Sequence, residues 1–255
     1  MKNRYSRKSI LCSEKYYGRG FHSPGGYEVL DLLFKTLELD NIENVLEVGS
    51  GLGAATHYFN KYFGAQVIGL DLSRDMVDIC KKRQTSDESK KVEFIQGDLR
   101  FTEFNKNHFD LIWIRETLLY IPENERKKVW NNFYSFLKPG GTLAIIEWCR
   151  ERESVPDEVI EYRKTSNHHD QYPHELLSDL GNSGFTIFLL KDLTNLYVQN
   201  LKDGLNILQE MENEFKKDFT VEEFKALVER VELKIRAFTR RDFIMTLVKA
   251  KKYNN

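Results

Sequence analysis

Apolar, strand-like runs alternate with helix-like segments along most of this chain, and this alternation restricts the fold more than any other feature. Five runs have the length and residue types of buried strands: 44–49, 65–72, 92–98, 109–114 and 142–148. Helical periodicity lies between them at 53–63, 74–84 and 123–137. Two more strands are predicted at 186–192 and 243–250. We therefore expect an α/β fold with a doubly wound, seven-stranded, mainly parallel sheet.

Length and composition restrict the class of function. The chain has 255 residues, of which 41% are hydrophobic and 30% charged, and this fits one soluble domain. Its net charge of −1, with mixed signs along the chain, argues against a nucleic-acid partner. No run approaches the roughly 18–20 apolar residues of a membrane span, and no signal peptide is recognised. We expect a cytoplasmic protein without a membrane partner, as a monomer or weak homodimer.

Cysteines and histidines do not predict a metal site. The three cysteines lie far apart, without metal-ligand spacing or a disulfide framework. His168, His169 and His174 are close in sequence, but no carboxylate–histidine metal motif accompanies them. We expect these histidines in a loop or a substrate pocket.

The chain shows no internal repeat and no low-complexity linker, which favours a single domain over 1–255. The core is predicted at 40–150, and an open α/β sheet of this kind binds its ligands beyond the carboxyl ends of the strands. We expect an N-terminal lid at 1–30 and substrate-side lid segments at 150–183 and 194–240. Within the last of these, about 196–238 is a charged helical stretch with an apolar stripe.

A glycine turn follows the first predicted strand and precedes a helix: Gly49-Ser50-Gly51-Leu52-Gly53. Glycine lets the backbone turn tightly and approach a ligand, although dinucleotide-binding folds use a similar turn. Asp71 ends the next strand, where a carboxylate can accept hydrogen bonds from ribose hydroxyls, and Asp98 ends the third, where it can accept from an adenine amino group. The alternative is that both carboxylates only cap helices or turns.

The rest of the series is Arg115-Glu116 after the fourth strand and Leu137-Lys138-Pro139-Gly140-Gly141 before the fifth. Together with the glycine turn it resembles the class I methyltransferase family over about 40–150. The resemblance implies a Rossmann-like sheet and S-adenosylmethionine as cofactor, with S-adenosylhomocysteine as product. NAD is the alternative cofactor.

A second resemblance covers nearly the whole chain. Tyr17-Gly18-Arg19-Gly20-Phe21-His22-Ser23-Pro24-Gly25-Gly26, Arg115-Glu116, Glu147-Trp148-Cys149 and Glu161-Tyr162 are similar to motifs of the phosphoethanolamine N-methyltransferases. The family implies cofactor contacts at the following positions: Ser23, Gly49, Asp71, Leu72, Asp98, Leu99 and Arg115. Gly51, in the same turn, is a further predicted contact.

The same resemblance implies a substrate site. Glu116 stands where an aspartate faces the amine, Tyr162 and Lys234 match residues that hold the phosphate, and Tyr5 corresponds to a latching tyrosine. Four positions depart from the family's pattern: Tyr120 for a histidine, Trp148 for a tyrosine, Ser166 for the phosphate-binding arginine and His168 for a tyrosine. Serine supplies one neutral donor in place of a bidentate guanidinium, which puts phosphoethanolamine in doubt as the substrate. Lys234 and His168 are candidates to compensate in part.

From the chemistry of their side chains, Glu116 and Tyr120 are the predicted groups for amine binding and proton removal. Their spacing of four residues predicts one helical face. The alternatives are that Glu116 only pairs with Arg115 and that Tyr120 is a core aromatic. The aromatic residues could also form a cage that attracts a cationic substrate: Tyr5, Tyr17, Tyr120, Trp148 and Tyr162.

The leading hypothesis is therefore an S-adenosylmethionine-dependent methyltransferase that acts on a small amine. Three alternatives stay open: transfer of the methyl to oxygen, sulfur or carbon; cyclisation of S-adenosylmethionine itself; and a non-catalytic module with a methyltransferase fold that binds a partner.

Overall fold

The computed structural model describes residues 7–36, 41–85 and 91–253. Its strands are β1 (Asn44–Val48), β2 (Gln66–Asp71), β3 (Val92–Gln96), β4 (Phe109–Arg115), β5 (Leu137–Arg150), β6 (Thr186–Asp192) and β7 (Phe243–Lys251). They form a seven-stranded sheet in the order β3-β2-β1-β4-β5-β7-β6. Within this sheet β7 is antiparallel to both of its neighbours, β5 and β6, and the other strand pairs are parallel. The predicted α/β fold with a Rossmann-like seven-stranded sheet is confirmed.

Helices cover the sheet. They are α1 (Arg7–Tyr17), α2 (Gly26–Thr36), α3 (Ala54–Phe63), α4 (Arg74–Arg83), α5 (Glu123–Phe136), α6 (Asp157–Ser166), α7 (Pro173–Asn182), α8 (Thr194–Glu210), α9 (Glu212–Phe215) and α10 (Val221–Thr239). Side chains of β1 alternate between two apolar clusters, as the period of two in a strand requires. Val45 joins the cluster that contains α2, α3, α8 and α10, whereas Leu46 and Val48 join the one that contains α5 and α7.

The order of the strands creates a crevice beside β1. The chain passes from β1 to β2 and β3 on one side and then returns to place β4 on the other side of β1. The loops that follow β1 and β4 therefore leave the sheet in opposite directions, and open α/β sheets bind ligands at this point. The glycine turn follows β1, and Glu116 follows β4.

The secondary structure around Pro139 differs from the prediction. Helix α5 ends at Phe136, close to the predicted end, but the prediction that the next strand begins at 142 is wrong, because β5 begins at Leu137. Leu137 pairs with Phe109, and regular pairing with β4 resumes at Thr142 after a shift of register. The strand therefore accommodates the Pro-Gly-Gly sequence as an irregularity.

The charged stretch predicted as helical at 196–238 is divided into α8, α9 and α10. Helix α10 has its own start signal, a capping box. The Thr220 backbone N–H donates to the Glu223 carboxylate at 3.0 Å, and the Glu223 N–H donates to the Thr220 hydroxyl at 3.2 Å. The apolar stripe predicted for this stretch packs into the core through Leu201, Leu208 and Phe215.

The described ranges contain neither a candidate membrane span nor a candidate metal cluster. None of their helices is both long enough and apolar enough to cross a membrane. Residues 7–36, 41–85 and 91–253 contain no group of three or more His, Cys, Asp or Glu side chains arranged to hold a metal ion.

Candidate active site

A cavity of about 660 Å³ opens at the carboxyl edge of the sheet. The loops after β1, β2, β3 and β4 form most of its wall, and His22, Ser23, Ser166 and Asn167 close it from outside the sheet. Its size is within the range of small-molecule sites. The cavity therefore occupies the crevice that the strand order creates.

The glycine turn lines one side of this cavity. The backbone N–H groups of Gly49 and Ser50 donate to the Leu70 carbonyl at 2.8 and 3.0 Å, which holds the turn against the end of β2. Gly49 has a φ of +76°, and a Cβ there would lie 2.0 Å from the Thr117 hydroxyl oxygen. At Gly51 the atom nearest to such a Cβ would be 4.0 Å away, on His22. The turn therefore presents bare backbone to the cavity.

Asp71 lies beside this turn, at the end of β2. One carboxylate oxygen accepts the Gly51 N–H and the other accepts the Ser73 N–H, each at 2.8 Å. Burial raises the pKa of Asp71, and the two backbone donors act in the opposite direction. Each oxygen keeps a lone pair for a further donor, such as a ribose hydroxyl. The turn and this carboxylate together fit the ribose and the amino-acid part of S-adenosylmethionine.

Further predicted cofactor contacts, Leu72, Leu99 and Asp98, line the same cavity. Leu72 is 66% exposed and lies on the wall with Leu99 and Met76. The Asp98 carboxylate is held by Arg100, whose Nε lies 2.9 Å from Oδ1. This hydrogen bond is the main cause of the lowered pKa of Asp98, which therefore stays ionised. The apolar side chains can pack on an adenine ring, and Asp98 reaches the cavity as an ion pair.

Glu116 follows β4 and lines the cavity in a left-handed conformation, with a φ of +48°. Its Oε2 accepts the Tyr197 hydroxyl at 2.9 Å and the Trp148 indole N–H at 3.2 Å. Its Oε1 is buried and has no hydrogen-bond partner among the described residues. The closest cation is Arg115, with Nε at 3.8 Å from Oε1. One carboxylate oxygen of this cavity-lining residue thus lacks a hydrogen-bond donor among the described residues.

Arg115 connects this site to the N-terminal segment. Its guanidinium donates to the Pro24 carbonyl, directly after Ser23 in the chain. Burial lowers the pKa of Arg115, while the adjacent Glu116 raises it. Both Arg115 and Ser23 line the cavity, so the predicted cofactor contacts from these two regions meet at one cavity.

Tyr120 lines the same cavity, but the prediction that it shares a helical face with Glu116 is wrong. Glu116 lies before a short 3-10 turn, Leu118–Tyr120, because its left-handed φ cannot belong to an α-helix. The two side chains are brought to one cavity by this turn.

A buried cluster of rings contacts Tyr120 through His168 and Glu116 through the Trp148 indole. The Trp148 ring stacks on Tyr162 at 6.4 Å, and His168 packs edge-on against Trp148 at 5.4 Å and Tyr120 at 5.3 Å. The Lys234 ammonium lies 5.3 Å from the centre of the Trp148 ring. These four predicted substrate residues, Trp148, Tyr162, His168 and Lys234, do not line the cavity, whereas Tyr120 and Ser166 do. Their contact with a substrate stays a prediction.

The other two predicted tyrosines lie elsewhere. Tyr17 packs against α8, where a Cβ on Gly204 would lie 2.9 Å from its ring, and it lines a separate cavity of about 460 Å³. Tyr5 lies outside the described residues. The structure therefore does not bring Tyr17 to the wall of the main cavity.

Two residues that hydrogen-bond to the cavity-lining residues Glu116 and Thr117 were not predicted from the sequence. Tyr197 belongs to the apolar stripe of α8, where a tyrosine among leucines is the signal that a hydroxyl needs a partner. Glu147 is a carboxylate within a buried strand, and this too requires partners. It accepts the N–H groups of Thr117 at 2.9 Å and Leu118 at 2.6 Å, while its burial raises its pKa to about 8.

Comparison with protein families matches a methyltransferase domain at residues 45–141. Phosphoethanolamine N-methyltransferase from Plasmodium falciparum is 31% identical over 226 residues, which are 88% of this chain and 84% of that protein. Phosphoethanolamine N-methyltransferase 1 from Arabidopsis thaliana is 31% identical over 227 residues, again 88% of this chain but 45% of that protein. The chain thus spans less than half of the plant relative.

Solved structures share the fold. Phosphoethanolamine N-methyltransferase 2 from Haemonchus contortus, in complex with phosphomonomethylethanolamine and S-adenosylhomocysteine, matches with a TM-score of 0.92 and 22% identity, over 99% of this chain and 59% of that chain. A putative sarcosine dimethylglycine methyltransferase from Galdieria sulphuraria matches with a TM-score of 0.82 and 15% identity, over 97% of this chain and 99% of the other.

The glycine turn and Asp71 lie within the matched methyltransferase domain, and the likeness to the Plasmodium protein extends over most of both chains. The chain therefore belongs to the phosphoethanolamine N-methyltransferase family of S-adenosylmethionine-dependent methyltransferases.

Proposed function

We propose that this enzyme methylates the nitrogen of a small amine that binds against Glu116. The observation that carries the proposal is at Glu116, one of the residues that line the cavity. Its Oε1 is buried and has no hydrogen-bond partner in the described part of the chain. A buried carboxylate oxygen left without a donor costs free energy unless a ligand supplies one. An amine or ammonium group supplies a charge-assisted donor.

The chain's own residues have two tasks in such a transfer. Bound S-adenosylmethionine supplies an electrophilic methyl group on its sulfonium. The nitrogen must present its lone pair in line with the carbon–sulfur bond, so that the new N–C bond forms as the C–S bond breaks. Glu116 holds the amine through Oε1 and accepts the proton that the nitrogen loses. Tyr120 lines the same cavity, and its hydroxyl would be a second polar group for the amine.

We further propose that the preferred amine carries no phosphate. The two guanidinium groups that line the cavity already donate hydrogen bonds, Arg100 to Asp98 and Arg115 to the Pro24 carbonyl. Ser166 lies on the wall as a neutral side chain. Enclosing a dianion without a dedicated cation is costly. These features favour an unphosphorylated amine over phosphoethanolamine, the substrate for which the relatives are named.

A tritiated-methyl transfer assay tests the proposal. Primary amines with and without phosphate, including ethanolamine and phosphoethanolamine, are incubated with the enzyme and labelled S-adenosylmethionine. We expect an unphosphorylated amine to have the higher kcat/KM, with one S-adenosylhomocysteine released per methyl. Preference for phosphoethanolamine would overturn the substrate class, and absence of label from every amine would overturn N-methylation.

Glu116→Ala separates substrate chemistry from cofactor binding. Because Oε1 acts on the amine, we expect kcat to fall by about 100-fold, the lower limit of typical acid–base contributions. Affinity for S-adenosylmethionine, measured by calorimetry, should change by less than about threefold. Glu93→Ala, at an exposed position near the amino end of β3, is the matched control and should change neither quantity. Equal losses of turnover and cofactor affinity in Glu116→Ala would contradict the role on the substrate side.

A further inference from the structure

We propose that Tyr197, on α8, is a positioning residue for Glu116. Its hydroxyl, together with the Trp148 indole, occupies Oε2 and so leaves Oε1 as the oxygen that meets the amine. This role rests on the proposed function. In this role Tyr197 and Trp148 act on the substrate only through the Glu116 carboxylate.

The hydrogen bonds of Glu116 are asymmetric. Both donors from the protein approach Oε2, the Tyr197 hydroxyl at 2.9 Å and the Trp148 Nε1–H at 3.2 Å. Oε1 is buried and accepts none from the described residues. A carboxylate with free rotation would exchange its two oxygens. Two donors fixed on one oxygen oppose this exchange and hold the other in a single direction.

Tyr197 is itself held firmly. It is 4% exposed, and its ring lies 4.7 Å from Phe238 and 6.0 Å from Trp148. Burial beside Glu116 raises the pKa of Tyr197 well above its usual value, so the hydroxyl stays a donor. A rigid aromatic ring can fix a hydroxyl with little loss of side-chain entropy on binding.

The location of Tyr197 gives this contact a further consequence. Glu116 follows β4, whereas Tyr197 lies on α8, in the segment between β6 and β7. The hydrogen bond thus joins Glu116, at the proposed amine site, to helix α8, across 81 positions of sequence. Correct placement of α8 is therefore required for correct placement of Oε1.

Tyr197→Phe removes the hydroxyl and keeps the ring that packs against Trp148 and Phe238. We expect the KM for the amine to rise by about tenfold, with less than a twofold change in affinity for S-adenosylmethionine and a small change in melting temperature. Tyr58→Phe is the matched control, because it removes another tyrosine–carboxylate hydrogen bond, to Asp31, away from the cavity. It should leave the amine KM unchanged. An unchanged amine KM in Tyr197→Phe would overturn the proposal.

A double-mutant cycle distinguishes positioning from general damage. If Tyr197 acts through Glu116, adding Tyr197→Phe to Glu116→Ala should not raise the amine KM further. The same tenfold rise in both backgrounds would show that Tyr197 acts by another route and would overturn the proposal.

A crystal structure of Tyr197→Phe, compared with the wild type under the same conditions, needs no substrate. We expect the Glu116 carboxylate to be rotated or poorly ordered in the variant and well ordered in the wild type. An identical, well-ordered carboxylate in both would refute positioning. If the wild type methylates no amine, the proposed function fails, while this comparison still decides the role of Tyr197.

Discussion

Gly49 is the residue whose identity the local geometry restricts most strongly. Its φ of +76° is unfavourable for other residues, and the space for a Cβ is occupied by the Thr117 side chain, with its hydroxyl oxygen at 2.0 Å. Thr117 belongs to the segment after β4 and donates its hydroxyl to the Arg115 carbonyl. The glycine turn and the segment with Glu116 therefore pack directly on each other.

The variant Gly49→Ala tests this contact. A methyl group would collide with Thr117 and displace either the turn or the segment after β4, so we expect at least a tenfold loss of affinity for S-adenosylmethionine, about 1.4 kcal/mol or more. Gly64→Ala is the control, since its φ of +67° is similarly strained but nothing lies within 4 Å of its Cβ. Calorimetric titration of both variants measures the difference. Similar affinities in the two variants would contradict the steric role of Gly49.

Some residues of the candidate site follow from sequence, and others do not. Asp71 was predicted beside the glycine turn because carboxyl ends of parallel strands meet at one edge, and the structure places its carboxylate on the Gly51 N–H. Tyr197 lies 81 positions from Glu116, and no local pattern reports a contact between such distant segments. The ion pair of Asp98 with Arg100 depends on the rotamers of both side chains, which the spacing of residues does not determine.

At the scale of elements, the segment after β4 depends on the neighbouring strand β5. Glu147 of β5 accepts backbone N–H groups from Thr117, Leu118 and Trp148, at 2.9, 2.6 and 2.9 Å. The first two begin the 3-10 turn that carries Tyr120 into the cavity. The carboxylate therefore fixes this turn in the way that an N-cap fixes a helix.

Glu147→Ala should show how much this support contributes. It leaves buried N–H groups without an acceptor, each at a cost of about 1–3 kcal/mol, so we expect the free energy of unfolding to fall by more than about 2 kcal/mol. Glu151→Ala removes a more exposed carboxylate, paired with Arg241, and should cost less than about 1 kcal/mol. Urea denaturation measures both. A loss below 1 kcal/mol for Glu147→Ala would show that the turn does not need this acceptor.

Prediction of elements from sequence succeeded where burial on both faces produced continuous apolar runs. The strands from β1 to β4 agree with their predictions to within two residues at each end. The start of β5 was missed because glycine and proline mark turns in sequence, whereas pairing with β4 accommodates them here in an irregular strand. The 196–238 stretch shows one continuous helical period, and its division depends on the Thr220–Glu223 capping box, a short signal within that period.

At the scale of the whole molecule, two buried carboxyl groups should make stability depend on pH. Burial raises the pKa of Glu47 and of Glu147 to about 8, from an ordinary value of 4.5. Between these values the folded protein keeps protons that the unfolded chain releases. The free energy of unfolding should therefore fall as pH rises from about 4.5 to about 8, by up to about 1.4 kcal/mol per pH unit for each group.

Glu47→Gln tests this dependence at one of the two groups. Glutamine removes the titrating proton while its amide oxygen can still accept the Thr56 hydroxyl, which donates to Glu47 in the wild type. We expect a less steep fall of the free energy of unfolding between pH 5 and pH 8 in the variant, because Glu147 alone of the pair still contributes. Urea unfolding at several pH values measures the slope. Equal slopes in the two proteins would contradict a raised pKa at Glu47.

The position of the transferred methyl group tests the central claim most directly. With S-adenosylmethionine labelled with carbon-13 on its methyl group, NMR of the purified product identifies the atom that receives the label. The arrangement of Glu116 against the cavity predicts a methyl bonded to nitrogen, with S-adenosylhomocysteine as the second product. A label on oxygen, sulfur or carbon, or the appearance of methylthioadenosine in place of S-adenosylhomocysteine, would contradict it.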